Sequence, residues 1–247
     1  MSRVLVGILF CGLGAGIASI DVATRASEPA QLSADAQRVL DAKVTALLDA
    51  RRGTWRDLNV PEADGRALRD LIVKHSLKSG LEIGTSTGHS GLWIGWAFTR
   101  TGGKLITIDI DERRHQEAVR NFDAAGLRPF IDARLGDAHT LVPALAGPFD
   151  FVFIDADKDW YVNYAKAVLP KLTARAVLTA HNISGGGGRR GGQGADYYAL
   201  VTSLPDFQTT IVNGQLAVSV RLGRTGTGRS SVVSSRSVET AGYKSRR

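Results

Sequence analysis

The chain has 247 residues, enough for one sizeable α/β domain and barely enough for two small ones. Its single cysteine, Cys11, lies in an N-terminal apolar run, which excludes disulfides, zinc-thiolate sites and a cysteine nucleophile from the folded part. The net charge of +7 is concentrated in residues 223–247. That distribution argues against a nucleic-acid partner and predicts a disordered basic tail.

Residues 1–30 form a candidate leader. Residues 4–20 are apolar and uncharged, Arg3 precedes them and small residues follow, a pattern typical of a secretory signal peptide. The run is short and rich in glycine for a membrane span. Two interpretations stay open: a signal peptide or anchor that contacts the membrane, and an apolar leader upstream of the true translation start.

Residues 31–222 are predicted to form one domain. Helical spacing of apolar residues predicts a helix over 34–50 and a second one from Pro61 to about His75. From Gly80 onward, strand and helix patterns alternate. The predicted strands are 81–83, 104–109, 130–135, 149–155 and 176–181, and the predicted helices are 89–100, 111–126, 159–171, a short one after Asp137 and one that ends near Leu204.

Two further strand patterns, 207–212 and 215–222, flank Asn213-Gly214. Asn-Gly between strands is the strongest short signal for a β-hairpin, because both residues accept positive φ. The predicted fold class is therefore α/β: a Rossmann-like, doubly wound, mostly parallel sheet with a C-terminal antiparallel hairpin. In such sheets ligands bind at the C-terminal ends of the strands.

The loop after the first strand is rich in glycine. Glu82 lies in the strand, Gly84 and Gly88 follow it, and the loop leads into a helix that contains Ser90 and whose N-terminus offers free N–H groups. The loop reads E-x-G-x-x-x-G rather than G-x-G-x-x-G, and it has no Arg or Lys for a pyrophosphate. It therefore favours a ligand that carries a ribose and an amino acid over a dinucleotide. A short-chain dehydrogenase is further disfavoured because no Tyr-x-x-x-Lys pair occurs.

Two more strand ends carry acidic residues. Asp109 ends the second strand, where it can accept both hydroxyls of a ribose. The third strand leads into Asp137 and Ala138, where a carboxylate can meet an adenine amino group. Together with the glycine-rich loop, these positions predict an adenosine-containing ligand.

A possible catalytic cluster follows the fourth and fifth strands. Asp155, His181 and Asn182 supply a carboxylate, an imidazole and an amide from adjacent strand ends, a set that can hold one divalent cation with open positions for substrate. Lys158 follows Asp155 at about one helical turn, so both can point into one cleft. The alternative for Lys158 is a surface lysine between acidic neighbours.

Four segments, residues 81–91, 106–111, 134–139 and 149–161, together resemble the metal-dependent small-molecule O-methyltransferase family, which includes the catechol and caffeoyl-CoA enzymes. The resemblance extends from about residue 60 to 222, and DADK at 155–158 is its most specific part. It implies a class I enzyme that moves the methyl group of S-adenosylmethionine to a hydroxyl of a small, phenolic acceptor. Because that donor is made and kept in the cytosol, we favour a cytoplasmic catalytic domain.

The resemblance also implies roles for individual residues. Gly84 and Ser90 would hold the methionine portion of the donor, and Asp109 the ribose. Asp137 and Ala138 would hold the adenine side. Lys158 would take the proton of the acceptor hydroxyl.

His181 departs from the family pattern, which has Asp before the Asn. Three outcomes stay open: weaker Mg²⁺ binding, a preference for Mn²⁺, Fe²⁺ or Zn²⁺, or no metal with His181 as the base. We favour a divalent metal and expect Mn²⁺ to support activity better than Mg²⁺. The alternative function is a nucleotide-binding or interaction protein with a drifted, inactive methyltransferase site.

Three features outside the strand ends complete the predictions. Trp160, Tyr161 and Tyr164 are expected mostly in the core. The glycine-rich loop 185–194 is either a lid over the site or a disordered insertion. The apolar stripe of helix 34–50 could serve a homodimer.

Overall fold

The computed structural model of the protein describes residues 32–184 and 194–223. The predicted leader, the glycine-rich loop up to residue 193 and the predicted tail beyond Gly223 lie outside these residues.

Helices and strands alternate along the described chain. The helices are α1 (Ala34–Ala50), α2 (Glu62–His75), α3 (His89–Thr101), α4 (Glu112–Ala125), α5 (Ala138–Ala144), α6 (Tyr161–Val168) and α7 (Ala195–Ser203). The strands are β1 (Ser79–Ile83), β2 (Lys104–Asp109), β3 (Ile131–Leu135), β4 (Phe149–Ile154), β5 (Leu172–Ala180), β6 (Phe207–Val212) and β7 (Leu216–Arg221).

The strands form one sheet in the order β3-β2-β1-β4-β5-β7-β6. Strands β1 to β5 are parallel, β7 is antiparallel to β5, and β6 is antiparallel to β7. The predicted fold class is therefore confirmed. Because the chain winds outward from β1 in one direction and then restarts at β4, the switch point lies between β1 and β4, where open α/β sheets bind ligands.

Both faces of the sheet are buried, which explains the continuous apolar runs of the central strands. In β4, Phe151 and Phe153 pack with α1 to α4, while Val152 and Ile154 pack with α5 to α7. This two-layer covering leaves the C-terminal strand edge as the place where side chains can meet a ligand.

Two predicted elements differ from the structure by three or more residues at one end. The helix predicted over 159–171 contains α6 flanked by 3-10 turns, at Lys158–Trp160 and Leu169–Lys171. Pro170 cannot continue an α-helix because it has no backbone N–H. The fifth strand begins at Leu172, four residues before its predicted start. Thr173 is partly buried and Ala174 and Arg175 are exposed, so this part of the strand gives no continuous hydrophobic signal in the sequence.

No helix within residues 32–184 and 194–223 combines the length and hydropathy that a membrane span requires. The apolar stripe of α1 is used partly within the chain, since Leu40 and Val44 are buried in the core. Val39 on the same helix remains 59% exposed. Homodimer formation through α1 stays a prediction.

Candidate active site

A cavity of about 480 Å³ opens at the C-terminal ends of the parallel strands. Gly84 follows β1, Asp109 ends β2, Asp155 follows β4 and His181 follows β5, and all four line the cavity. The strand-end residues singled out in the sequence thus share one pocket. The other lining residues are Leu58, Asn59, Ser86, Ile110, Arg114, Ala156, Asp157, Lys158 and Asn182.

Gly84 allows β1 and β4 to approach closely at the floor of the cavity. Its φ is +98°, and an added Cβ would lie 2.8 Å from the Cβ of Ala156 and 2.9 Å from the carbonyl oxygen of Asp155. A side chain here would be strained by the backbone and would collide with the neighbouring strand. Its N–H donates to the carbonyl of Ile108 at 2.9 Å, which fixes the loop against β2.

Glu82, Gly88 and Ser90 lie beneath this loop and do not line the cavity. Gly88, at φ +94°, begins α3 at a point where a Cβ would lie 2.9 Å from the ring of Phe122. Glu82 is fully buried, and its Oε2 accepts a hydrogen bond of 2.6 Å from the hydroxyl of Thr107. These residues support the loop from beneath. Their role in cofactor binding stays a prediction.

The buried carboxyl group of Glu82 should make the stability of the protein depend on pH. Burial raises its pKa to about 8, although hydrogen bonds from Ser90 and Thr107 oppose the rise. Between the ordinary pKa of 4.5 and about 8, the folded state holds a proton that the unfolded state has lost. The free energy of unfolding should therefore fall as pH rises through this window, with a contribution of about 1.4 kcal/mol per pH unit from Glu82.

Replacement of Glu82 by glutamine should remove this contribution while keeping an oxygen that accepts from Thr107. Urea unfolding at several pH values between 5.5 and 7.5 measures the slope for Glu82→Gln and for the parent. Glu112→Gln, at the exposed start of α4, serves as a control that removes a carboxylate without burial. Equal slopes for the parent and Glu82→Gln would contradict the buried, protonated carboxyl.

Asp109 is held by two backbone N–H groups. Ser86 donates to Oδ2 at 2.7 Å and Asp111 donates to Oδ1 at 2.9 Å. A carboxylate has about four lone-pair positions, so each oxygen keeps one for a further donor. The carboxylate is thus oriented in advance for a ligand with two hydroxyls.

Asp137 and Ala138 do not line this cavity. Asp137 is exposed and caps α5, where its Oδ1 accepts the N–H of His139 at 2.9 Å. Next to Asp137, the ring of His139 lies 2.7 Å from Asp157, which lines the cavity, and stacks on Trp160 with 3.8 Å between the ring centroids. Contact of Asp137 and Ala138 with adenine stays a prediction.

Lys158 faces the cavity from the 3-10 turn after β4. Its Nζ donates to Asp155 Oδ1 at 2.9 Å and to the hydroxyl of Tyr161 at 2.6 Å. Burial, together with the charge of Asp155, raises the pKa of Tyr161 above its ordinary value, so Tyr161 stays a neutral hydroxyl. Tyr161 and Tyr164 are buried as predicted for core residues, and Trp160 is partly buried.

His181 is bound between two carboxylates. Its Nε2 lies 2.9 Å from Asp64 Oδ2, and its Nδ1 lies 3.5 Å from Asp155 Oδ1. Burial lowers the pKa of His181, but the hydrogen bonds and charges of Asp155 and Asp64 outweigh burial, and the pKa lies above its ordinary value. Asn182 follows with an exposed side chain and φ +57°.

The predicted metal ligands, Asp155, His181 and Asn182, line the cavity together, and binding of a divalent cation by them stays a prediction. Asp64 holds Nε2 of His181, as a carboxylate commonly does for a metal-bound histidine, and Nδ1 lies 3.5 Å from Asp155 Oδ1. Lys158 meanwhile donates to Asp155. Within the two described ranges, no three His, Cys, Asp or Glu side chains form a group able to hold a metal ion, but the predicted set is of a different kind, with two such residues and the amide of Asn182.

Asp64 is the residue that the sequence analysis missed. It is fully buried, and besides His181 it accepts hydrogen bonds from Asn213 at 2.8 Å and Gln215 at 2.9 Å. Its position was detectable, because Asp64 lies four and eight residues before Leu68 and Ile72, on the buried side of α2. An acidic residue on an apolar helix face needs polar partners.

The sheet order and a nucleoside-sized cavity at its switch point define a Rossmann-like domain of the methyltransferase type. A family model described as O-methyltransferase matches residues 30–187, and the chain belongs to this family. The resemblance noted from the strand-end motifs is thereby confirmed.

Curated relatives carry related names. A catechol O-methyltransferase from Niastella koreensis is 35% identical over 130 residues, which cover 51% of this chain and 58% of the relative. Caffeoyl-CoA O-methyltransferase 2 from Eucalyptus globulus is 29% identical over 174 residues, which cover 68% of this chain and 70% of the relative. The chain therefore matches less than two thirds of the catechol enzyme's length.

Solved structures share the fold. The cofactor-bound Rv0187 from MTB is 26% identical, with a TM-score of 0.61 over 75% of this chain and 90% of that one. The O-methyltransferase from Bacillus cereus in complex with SAH is 23% identical, with a TM-score of 0.62 over 73% and 91% of the two chains.

Proposed function

We propose that the chain transfers the methyl group of S-adenosylmethionine to a hydroxyl of a small phenolic acceptor. The observation that carries the proposal is that Asp109 and Lys158 line the same cavity in a chain of the O-methyltransferase family. A carboxylate suited to a ribose and an amine suited to a hydroxyl are the two groups that this reaction needs side by side. The names of the catechol and caffeoyl-CoA relatives support a phenolic acceptor.

The donor would lie along the ends of β1 and β2. Asp109 would accept hydrogen bonds from both ribose hydroxyls, and Gly84 would let the methionine portion approach the backbone. Ser86 and Asp111 already orient the carboxylate of Asp109, so this side chain loses little conformational entropy when the donor binds.

In the chemical step the acceptor oxygen attacks the methyl carbon. The O–C bond forms as the S–C bond breaks, the sulfonium becomes a neutral thioether, and the hydroxyl proton must leave. Lys158 is assigned to receive that proton as the neutral amine, after its own ammonium has lost a proton to solvent, and Asp155, at 2.9 Å, stabilises the ammonium that results. The enzyme's larger contribution is to hold the oxygen, methyl carbon and sulfur in line.

Metal assistance, which the family resemblance implies, is not part of this proposal. A divalent cation, if bound, would be held by Asp155, His181 and Asn182 and would lower the pKa of the acceptor hydroxyl. Each step above uses only side chains of this chain.

Two measurements test the proposal. Calorimetry should detect binding of S-adenosylmethionine and of S-adenosylhomocysteine to the full chain. Incubation with S-adenosylmethionine and a panel of catechols and hydroxycinnamoyl compounds should then release S-adenosylhomocysteine. Absence of donor binding would overturn the proposal, and binding without turnover on any acceptor would favour the alternative of a binding protein.

A further inference from the structure

Tyr161 lies directly behind Lys158, on the interior side of the cavity. Its hydroxyl oxygen is 2.6 Å from the Nζ of Lys158, and Nζ lies 4.9 Å from the centroid of the Tyr161 ring. Lys158 lines the cavity, with its side chain 26% exposed, whereas Tyr161 is 1% exposed and does not line it. Tyr161 therefore contacts the amine from within the domain and leaves the cavity side of the nitrogen open.

The ring of Tyr161 is fixed by its surroundings. Tyr161 begins α6 and packs in the core with Ile154 of β4 and Tyr197 of α7. The rings of Tyr161 and Tyr197 meet edge to face, with 5.8 Å between their centroids. Because protein interiors are close-packed, a ring buried in this way has few alternative positions. Its hydroxyl is a fixed hydrogen-bonding point at the boundary between core and cavity.

Lys158 needs such a point because a lysine side chain is flexible. Asp155 holds its nitrogen through one contact, at 2.9 Å, about which the amine could still turn. The tetrahedral nitrogen has one bond to Cε and three further positions, and two of these are directed at Asp155 and Tyr161. Both the ammonium and the amine have at least two N–H groups to donate, so one position is left for the acceptor in either form.

The contact with Tyr161 does not rely on the state of Asp155. Asp155 is a predicted metal ligand as well as a partner of Lys158, and a cation bound there would compete with Nζ for the carboxylate. The hydroxyl of Tyr161 lies 3.4 Å from Asp155 Oδ1 and is not among the predicted ligands. Tyr161 can therefore hold the amine whether or not a cation is bound.

We propose that Tyr161 is a positioning residue for methyl transfer, which fixes the Nζ of Lys158 so that its one remaining position faces the acceptor hydroxyl. The inference rests on the proposed function for the role of Lys158, and on the contacts above for the role of Tyr161. Tyr161 acts through Lys158, since it does not line the cavity. Misplacement of a reacting group by about 1 Å can lower a rate on the order of a hundredfold, so loss of this contact should be measurable.

Tyr161→Phe removes the hydroxyl and keeps the ring against Lys158. With catechol as the acceptor, kcat should fall roughly tenfold, the size expected for one lost hydrogen bond. The Kd for S-adenosylmethionine should not change. With 4-nitrocatechol, which is ionised in mildly alkaline buffer, kcat should fall about twofold or less, because no proton has to reach Lys158. A merely structural role of Tyr161 would lower kcat equally for both acceptors.

Tyr164→Phe is the matched control. Tyr164 is also buried on α6, but its ring lies against His139 and Trp160, each with 5.8 Å between the ring centroids. This variant should keep the parent's kcat with both acceptors. Thermal melting establishes that each variant is folded.

The contact can also be measured without turnover. In protein labelled with ¹⁵N-lysine, NMR reports how fast the Nζ hydrogens exchange with water, and the Lys158 signal is the one missing from Lys158→Met. Exchange at Lys158 should be severalfold slower than at the exposed Lys166 in the parent. It should become severalfold faster in Tyr161→Phe and stay unchanged in Tyr164→Phe.

Three results would overturn the proposal: equal exchange at Lys158 and Lys166 in the parent, unchanged exchange in Tyr161→Phe, or an equal loss of kcat with both acceptors. The comparison within the parent decides the matter if Tyr161→Phe does not fold. Failure to bind S-adenosylmethionine would overturn the proposed function instead, and the exchange rates would then decide separately whether Tyr161 holds the amine.

Discussion

Replacement of Lys158 by methionine should lower kcat by about 10²- to 10⁴-fold, the range typical of a group that transfers a proton in the transition state. Methionine keeps a long, unbranched side chain beside Tyr161 but has no basic nitrogen. Affinity for S-adenosylmethionine should change little, because Asp109 and Gly84 rather than Lys158 are assigned to the donor. Steady-state methyl transfer and donor calorimetry on Lys158→Met measure the two quantities separately.

Lys166→Met is the matched control, since Lys166 lies exposed on α6. It should retain the parent's kcat. Lys158→Arg adds a further check, because arginine keeps a positive charge beside Asp155 but does not release its proton at accessible pH. If Lys158→Arg or Lys158→Met retained the parent's kcat, the acceptor proton would have to leave by another route.

The second large effect is expected at Asp109. Asp109→Asn should weaken binding of S-adenosylmethionine by roughly a hundredfold, because hydrogen bonds to a charged group contribute about 1.5–3 kcal/mol each and the ribose offers two. The amide also places a donor where Ser86 or Asp111 already donates. Calorimetric Kd values for both S-adenosylmethionine and S-adenosylhomocysteine check the prediction, and both should shift together because the two ligands share the ribose.

Asp111→Asn provides a close control, two residues away with the same loss of charge. Asp111 caps α4 by accepting the N–H of Arg114 at 2.9 Å, and asparagine is an equally good capping residue. Its donor affinity should stay within about threefold of the parent, a difference below 1 kcal/mol. If Asp109→Asn changed the donor affinity as little, the assignment of the ribose to Asp109 would be contradicted.

The main features of the fold follow from local patterns in the sequence. Alternating helical and strand periodicity predicts a parallel sheet, and Asn213-Gly214 predicts the hairpin. The start of β5 could not be predicted, because Thr173 and Arg175 are polar residues near the end of a strand and carry no apolar signal. Local patterns predict an element well only where the element is buried.

Only the part of the candidate site that lies at strand ends could be predicted from the sequence. Gly84, Asp109 and Asp155 could be brought together from topology alone, because parallel strands end at one edge. The partner of His181 could not, since Asp64 lies 117 residues earlier in the chain and reaches His181 through helix packing. The strand-end pattern indicated which donor types converge, but not that Lys158 donates to Asp155 or that Asp64 holds His181.

The turn between β6 and β7 links the order of synthesis to the state of the site. On the ribosome, Asp64, Asp155 and His181 all emerge before Asn213 and Gln215. Until those two amides arrive, Asp64 lacks two of its three side-chain hydrogen-bond donors, and its contact with His181 is less firmly fixed. A nascent chain that has made the parallel strands but not the hairpin should therefore have an incomplete cavity, and methyl transfer should begin only when these last strands have joined the sheet.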